Sequence, residues 1–249
     1  METEASQTLA DDTGWLRRIA GVVATITALL LTSVLGVAAA VGSFIAEGHG
    51  TSPVMSLWAW SLLRVCGVKV EVSGLENLDG LDSFVLVANH QSLFDVLATI
   101  WATPRELRFV AKRELRRIPV IGFAMERSGH IIIDRHRGGQ AIRRAIEVSR
   151  KGYSICVFGE GHRYSDNRVH EFNDGAAWLA IATRMPCVPT AISGSLAIMP
   201  RGARFVVPGR KIRIVLGRPI PTIGLKSADR TDLTRRLEDE VRAAFRTTV

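Results

Sequence analysis

The order of apolar and polar positions divides the chain into a strongly apolar N-terminal part and a longer part in which strand-like and helix-like patterns alternate. From residue 68 onward, apolar runs typical of strands alternate with helical patterns. The strand-like runs are 68–74, 84–89, 107–112, 129–134, 153–160, 187–194 and 211–217; the helical patterns are 93–101, 118–126, 138–151, 173–184 and 227–246. Most strand-like runs are continuous in Val, Ile and Leu, which indicates burial on both faces of a sheet. This alternation predicts an α/β fold with a mostly parallel central sheet flanked by helices.

The N-terminal part has the pattern of a membrane-associated segment. Residues 20–46 carry no charged side chain, and about 20 apolar residues suffice to cross a bilayer core. A cleaved signal peptide is the alternative: residues 37–40 resemble a cleavage site, although the preceding tail is acidic. A second apolar run, 53–65, is too short to span, and its Trp58 and Trp60 suit the head-group level. We therefore predict a helical hairpin that dips into one leaflet.

These patterns give three segments. We predict a disordered polar tail over 1–14, a membrane-binding hairpin over 15–66 and an α/β domain over 67–249. Arg17 and Arg18 precede the uncharged run, and the positive-inside rule places them in the cytoplasm. A hairpin returns the chain to that side, so the domain is expected on the cytoplasmic face of the inner (plasma) membrane. A single-pass anchor would place it on the other side.

Composition narrows the choice of partner. The net charge of +8 and the pI near 10.1 favour an anionic partner. The basic residues are scattered with few aromatics among them, which argues against nucleic acid. The six histidines form no H-E-x-x-H pattern, the three cysteines no C-x-x-C pair, and no phosphate-binding G-x-x-x-x-G-K sequence occurs. We expect no metal or other cofactor, and we expect buried thiols in a reducing compartment.

Polar residues follow several of the predicted strands. In parallel sheets, ligand sites gather at the carboxyl ends of the strands, so these residues are expected to meet at one edge. They are Asn89-His90, Lys112, Asp134-Arg135, the turn 159–163 and Ser193-Gly194.

His90 and Asp95 can form a catalytic pair only if the chain turns between them. Five positions apart on one helix, they would diverge by about 140°. If His90 lies in the turn and the helix begins near Ser92, then Asp95 can hold Nδ1–H and leave Nε2 free as a base. Alternatively, Asp95 is a helix N-terminal charge and His90 a turn residue with no catalytic role. Ser92 could act as a nucleophile, but no G-x-S-x-G elbow occurs.

The segment FGEGHRYS, residues 158–165, predicts an anion-binding turn. Its glycines let the backbone approach a ligand closely. Arg163 offers a planar fork to a phosphate, Lys112 adds a point charge, and Glu160 can orient Arg163 or accept a hydroxyl. A solvated surface arginine is the alternative for Arg163 taken alone.

Four blocks in order resemble the glycerolipid acyltransferase family, specifically the 1-acylglycerol-3-phosphate O-acyltransferases. They are NHQSLFD (89–95), GHIIIDR (129–135), FGEGHRYS (158–165) and VPT (188–190). The resemblance covers roughly 68–200, and the N-terminal region is similar to the family's two-helix membrane motif. It implies His90 as base, oriented by Asp95; Arg135 on the glycerol phosphate; Glu160, Gly161 and Arg163 on the phosphate; and Lys112 on the phosphate side.

The resemblance implies transfer of a fatty acyl group from acyl-CoA or acyl carrier protein to lysophosphatidic acid. Three positions depart from the family: Gly159 replaces Pro, His162 replaces Thr, and Asn173 stands where a basic residue is usual. These changes lie on the acceptor side, so the chain could instead use a different lysolipid acceptor. Two further hypotheses are a lipid hydrolase and a non-catalytic module that binds anionic lipid.

Overall fold

The computed structural model describes residues 2–45, 52–133, 138–247 and 249 of the chain. Its helices are α1 (Glu2–Ile45), α2 (Ser52–Val65), α3 (Phe94–Ala102), α4 (Pro119–Arg127), α5 (Gly138–Arg150), α6 (Gly175–Thr183) and α7 (Arg230–Ala244). Its strands are β1 (Lys69–Ser73), β2 (Val85–Ala88), β3 (Leu107–Lys112), β4 (Ile131–Ile133), β5 (Ser154–Phe158), β6 (Cys187–Ser193) and β7 (Lys211–Leu216). Short 3₁₀ turns precede α4 and α7 and connect other elements.

The strands form one seven-stranded sheet in the order β1-β7-β6-β2-β5-β3-β4. The five strands from β6 to β4 are parallel, whereas β7 pairs antiparallel with β6 and parallel with β1. The predicted α/β fold with a mostly parallel sheet is thereby confirmed. The carboxyl ends of β2, β3, β5 and β6 lie along one edge of the sheet. Most of the polar residues that follow predicted strands are at this edge.

Both faces of the sheet are covered, which explains the continuous apolar runs. In β2, Leu86 and Ala88 belong to a core shared with α1, α2 and α3, whereas Val85 and Val87 belong to a core shared with α5, α6 and α7. Strand β7 alternates instead: Ile212, Ile214 and Leu216 are buried, and its other face is largely exposed. The sequence of a strand covered on both faces is therefore continuously apolar, as in β2, whereas that of a strand covered on one face alternates between apolar and polar residues, as in β7.

Helix α1 extends beyond the apolar run. It begins at Glu2, so the segment 1–14, for which we predict disorder, is helical except at Met1, which lies outside the described residues. By length and composition, residues 14–38 suffice to cross a membrane, and only 17% of that stretch is buried. Apolar side chains such as Leu29, Leu30 and Val34 are more than 60% exposed.

Helix α2 packs inward against the sheet rather than lying free. Trp58 Nε1 donates to Thr32 Oγ1 of α1 at 3.0 Å, which ties the two helices together. Ala59, Leu62 and Leu63 are buried in the core that includes α3. The hairpin and the sheet therefore share one apolar core, and the turn at residue 66 does not separate two independently packed bodies.

Candidate functional site

The turn between β2 and α3 brings His90 and Asp95 together. The strand ends at Ala88 and the helix begins at Phe94, so Asp95 lies in the first helical turn. Asp95 Oδ2 lies 2.8 Å from His90 Nδ1 and accepts hydrogen bonds from the backbone N–H groups of Gln91, at 2.7 Å, and Ser92, at 2.8 Å. An oxygen that already accepts from two N–H groups acts as an acceptor for the ring as well, so Nδ1 carries the proton.

This arrangement leaves the other ring nitrogen available. His90 Nε2 makes no hydrogen bond to any described residue, and the side chain is 14% exposed, whereas that of Asp95 is fully buried. The ring of Phe158, the last residue of β5, stacks on the imidazole with centroids 3.9 Å apart and 12° between the planes. Asp95 and Phe158 thus fix the ring, and one edge of it is open to a ligand.

Neighbouring polar residues hold the turn to the sheet. Asn89 exchanges two hydrogen bonds with the backbone of Ile192 in β6, at 2.8 and 2.9 Å. Ser92 Oγ donates to the Met199 carbonyl at 2.8 Å and accepts from Phe94 N–H at 3.3 Å, and the residue is fully buried. Ser92 is therefore a structural residue, which disfavours its role as a nucleophile.

Glu160, in the turn after β5, reaches the backbone of His90. Its Oε2 accepts from His90 N–H at 3.1 Å and its Oε1 accepts from His170 N–H at 3.0 Å. Oε2 thus cross-links the β2 and β5 turns, and Oε1 closes the connection between β5 and α6 on itself. Burial raises the pKa of the Glu160 carboxyl to about 7, although the two backbone N–H donors and the His170 charge oppose the shift. In the structure both carboxylate oxygens accept backbone hydrogen bonds, and the phosphate binding that the resemblance implies for Glu160 stays a prediction.

The departures from the family pattern around this turn have local explanations. Gly159 N–H donates to the Ala88 carbonyl at 2.8 Å, a bond that proline cannot make. Asn173 Nδ2 donates to the Gly159 carbonyl at 2.7 Å, so this side chain closes the turn. Gly161 has a φ of +70°, which a residue with a Cβ rarely adopts. The ring of His162 contacts that of Tyr164 in a tilted arrangement, with centroids 4.2 Å apart and 42° between the planes.

Arg163 is half-buried beside a second arginine that the sequence does not single out. Partial burial lowers the pKa of Arg163, the positive charge of Arg201 lowers it further, and the Asp95 carboxylate opposes both. Neither guanidinium makes a hydrogen bond or ion pair with a described residue. Two neighbouring guanidinium groups that form no ion pair with a described acid attract an anion. Arg201 follows no predicted strand, so the sequence gives no signal for it.

Of the remaining predicted site residues, the structure describes only Lys112. Lys112 is the last residue of β3 and is half-buried. Arg135 and Asp134 lie outside the described residues. His130, in the same block as Arg135, is buried, and its Nδ1 accepts from Phe109 N–H at 2.9 Å. Burial, reinforced by Arg108, lowers the pKa of His130 to about 3, so this ring is a neutral structural acceptor.

Fold and site together define a class of protein: an α/β domain in which a histidine–aspartate pair faces an arginine-bearing turn at the carboxyl edge of the sheet. A family model described as Acyltransferase matches residues 69–193, half of the chain. The chain belongs to this acyltransferase family. The matched region begins at β1 and ends at the last residue of β6, so it includes His90, Asp95 and Arg163.

Individual relatives agree with the family. The chain is 33% identical over 171 residues to 1-acyl-sn-glycerol-3-phosphate acyltransferase BAT2, chloroplastic, of Brassica napus, covering 67% of this chain and 49% of the relative. It is 33% identical over 198 residues to 1-acyl-sn-glycerol-3-phosphate acyltransferase alpha of Ovis aries, covering 78% and 68%. The chain thus spans about half the length of the chloroplastic relative and two thirds of the animal one.

A solved structure extends the similarity to the N-terminal helices. The crystal structure of the 1-acyl-sn-glycerophosphate (LPA) acyltransferase PlsC from Thermotoga maritima superimposes with a TM-score of 0.77 at 26% identity. The match covers 91% of this chain and 95% of that one. Coverage of that extent reaches beyond the segment 69–193 that the family model matches.

The cross-link through Glu160 predicts a pH-dependent stability. Its pKa rises from an ordinary 4.5 to about 7 in the folded chain, so between these values the folded state binds a proton that the unfolded state does not. The contribution of Glu160 is therefore complete below pH 4.5 and is lost as the pH rises through about 7. Relative to Glu160→Gln, the wild type should lose at most about 3 kcal/mol across this window.

The measurement is the thermal unfolding midpoint of both proteins in detergent, from pH 5 to 8 in roughly unit steps. Comparing the two proteins cancels the titration of every other group, including His130. Curves that stay parallel over the whole range would contradict the burial of a titrating carboxyl at this position.

Proposed function

We propose that this chain transfers a fatty acyl group from a thioester to the free hydroxyl of a 1-acylglycerol-3-phosphate, giving phosphatidic acid. The observation that carries the proposal is the open Nε2 of His90, with Nδ1 held by a buried carboxylate. The names of the relatives, which are 1-acyl-sn-glycerol-3-phosphate acyltransferases, support the choice of reaction.

The proposed chemistry uses one base and no protein nucleophile. His90 Nε2 removes the proton from the acceptor hydroxyl, and the oxygen attacks the thioester carbonyl. The tetrahedral intermediate collapses by breaking the carbon–sulfur bond, and the imidazolium returns the proton to the departing thiolate. Asp95 stabilises the imidazolium and keeps the ring oriented, and base assistance of this kind is worth about 10²–10⁴-fold. No step calls for a metal or an organic cofactor.

The acceptor phosphate is proposed to bind between the basic groups of the carboxyl edge. Arg163 provides a half-buried fork, and Arg201 provides a second positive charge that no described acid neutralises. Lys112 and Arg135 are proposed contributors, as the family resemblance implies. Gly161 would allow the acceptor to approach the backbone of the turn.

The lipid nature of both substrates fits an attachment to the membrane through α1. Its apolar side chains are exposed along residues 15–41, and the hairpin packs on the sheet face that contains α3. We propose that the site faces the cytoplasmic side of the inner (plasma) membrane, where acyl-CoA and acyl carrier protein are both accessible donors. Arg17 and Arg18 support this orientation.

Three competing functions keep the same fold. In a lipid hydrolase, water would replace the lysolipid hydroxyl, and thioester cleavage would then not depend on an acceptor. A different lysolipid head group is favoured by Asn173, whose amide is engaged by the Gly159 carbonyl where the family has a basic residue. A module without catalysis would need the Asp95 carboxylate only to close the turn before α3, and would have no use for the open Nε2 of His90.

The proposed mechanism predicts that Asp95 is needed to orient and charge-stabilise the base. Asp95→Asn keeps the shape of the side chain but removes the charge that stabilises the imidazolium, so kcat should fall by about 10²–10⁴-fold. Thiol release from acyl-CoA in the presence of lysophosphatidic acid measures it. The matched control is Asp166→Asn, which removes an exposed carboxylate at the same 2.8 Å from His170 Nε2 and should stay within a few-fold of wild type. Equal losses in both variants would refute the proposed base.

The proposed phosphate site predicts that Arg163 contributes to the binding of the acceptor. Arg163→Gln should raise KM for lysophosphatidic acid by about 10–100-fold, as expected for the loss of one charge-assisted contact, with a small effect on kcat. Arg163→Lys should recover part of the loss. With a lysolipid whose phosphate is esterified to a larger head group, the same substitution should matter less.

Arg168→Gln, an exposed arginine after the same turn, is the control and should leave KM unchanged. An Arg163→Gln enzyme with unaltered KM for lysophosphatidic acid, but impaired use of another lysolipid, would favour that other acceptor.

A further inference from the structure

The loop between the 3₁₀ turn at Ser195–Ala197 and β7 has an unusual surface. Residues 200–210, PRGARFVVPGR, contain three arginines and no acid. Phe205 is 52% exposed and Val207 is 40% exposed, although both are large apolar residues. Apolar side chains interleaved with basic ones are typical of protein surfaces that contact a bilayer at head-group level.

The 200–210 loop packs directly on α1. Val206 N–H donates to Thr25 Oγ1 at 2.9 Å, and a Cβ at Gly21 would lie only 2.5 Å from the Val206 carbonyl oxygen. Val206 is itself buried, in the core that includes Ala24. Phe205 and Val207, the residues on either side of the buried Val206, are exposed.

Both elements of this contact expose apolar side chains. Helix α1 meets the loop through Gly21 and Thr25 and exposes Ile19, Val23 and Ile26, each by more than half, on its other side. The loop exposes Phe205 and Val207. Large apolar side chains left exposed on two elements that pack together indicate an interaction site.

The arginines of the loop lack partners within the described part of the chain. Arg201, Arg204 and Arg210 are exposed, and none of their guanidinium groups makes an ion pair or hydrogen bond to a described residue. An arginine near an anionic lipid surface is attracted by the negative surface potential. The long side chains can reach the phosphates while their apolar stems remain beside Phe205 and Val207.

We propose that the 200–210 loop is a second lipid contact of this chain, which inserts Phe205 and Val207 at head-group level and binds anionic phospholipid through its arginines. The inference rests on the proposed attachment of α1 to the membrane. It adds a connection to the catalytic turn, since the Met199 carbonyl at the start of the loop accepts from Ser92 Oγ at 2.8 Å. The loop thereby joins the lipid surface to the turn that carries His90.

The test is depth-dependent quenching of a single label on the full chain. Cys66, Cys156 and Cys187 are buried free thiols, so a cysteine placed on the surface is labelled selectively. Val207→Cys, with Phe205→Cys as a second position, carries an environment-sensitive fluorophore in phosphatidylglycerol-containing vesicles with nitroxide-labelled lipids. Val34→Cys reports on α1 and Arg235→Cys on the exposed side of α7.

We expect quenching at 207 and 34 but not at 235. Quenching at 34 without quenching at 207 or 205 would overturn the loop contact and leave the attachment of α1 intact. A lack of quenching at 34 as well would overturn both. A label at 207 that is shielded from aqueous iodide but not quenched by the lipid nitroxides would place a protein surface there, and would also overturn the proposal.

Two double variants test whether the arginines of the loop contribute to the lipid contact. Arg204→Gln with Arg210→Gln, leaving Arg201 in place because it adjoins Arg163, should reduce quenching at 207 in anionic vesicles to the level in neutral ones. Arg235→Gln with Arg236→Gln on α7 removes the same charge and should change nothing. Identical behaviour of the two double variants would overturn the role of the loop arginines.

Discussion

The site depends on a single carboxylate oxygen. Asp95 Oδ2 accepts from His90 Nδ1 and from the backbone N–H groups of Gln91 and Ser92, all within 2.8 Å. Gln91 and Ser92 lie in the turn that precedes α3, and hydrogen bonds to an ionised acceptor are roughly twice as strong as neutral ones. The same oxygen therefore closes the turn before α3 and orients the imidazole. The structural and the catalytic interpretations of the pair describe one arrangement.

The elements around this oxygen keep it in place. Asn89 fixes the turn to β6, Glu160 fixes the backbone of His90 to the turn after β5, and Phe158 covers one face of the ring. Each of these residues lies at the carboxyl end of a parallel strand, so the register of β2, β5 and β6 sets their spacing. Burial makes Glu160 costly to keep ionised, and its pKa of about 7 indicates that this cost outweighs the stabilisation of the charge by the two backbone hydrogen bonds.

The sequence predicts more of the sheet than of its surroundings. Continuous apolar runs such as 84–88 identify strands buried on both faces, and the polar residues that follow them identify the edge where His90, Lys112 and Glu160 meet. Strand order and the antiparallel pairing of β7 with β6 depend on contacts between distant segments, which a local pattern does not contain. The same holds for the packing of α2 against the sheet and for Val206 against Thr25.

The roles of individual site residues are likewise predictable where they depend on neighbours along the chain and not where they depend on distant segments. The spacing of His90 and Asp95 predicts their contact once a turn is placed between them. Glu160 is identified as part of the site, but its two backbone partners come from different turns and cannot be deduced from the motif. Arg201 lies in a loop without strand or helix periodicity, and it is detected only because folding places its charge beside Arg163.

The most direct measurement of the central claim is the protonation state of the two ring nitrogens of His90 by ¹⁵N NMR on histidine-labelled protein, with His90→Gln to assign its signals among the six histidines. The account predicts a neutral ring protonated at Nδ1, in a strong hydrogen bond, with Nε2 unprotonated. A neutral ring protonated at Nε2 would contradict it, because the nitrogen that must accept the proton of the acceptor hydroxyl would already carry one.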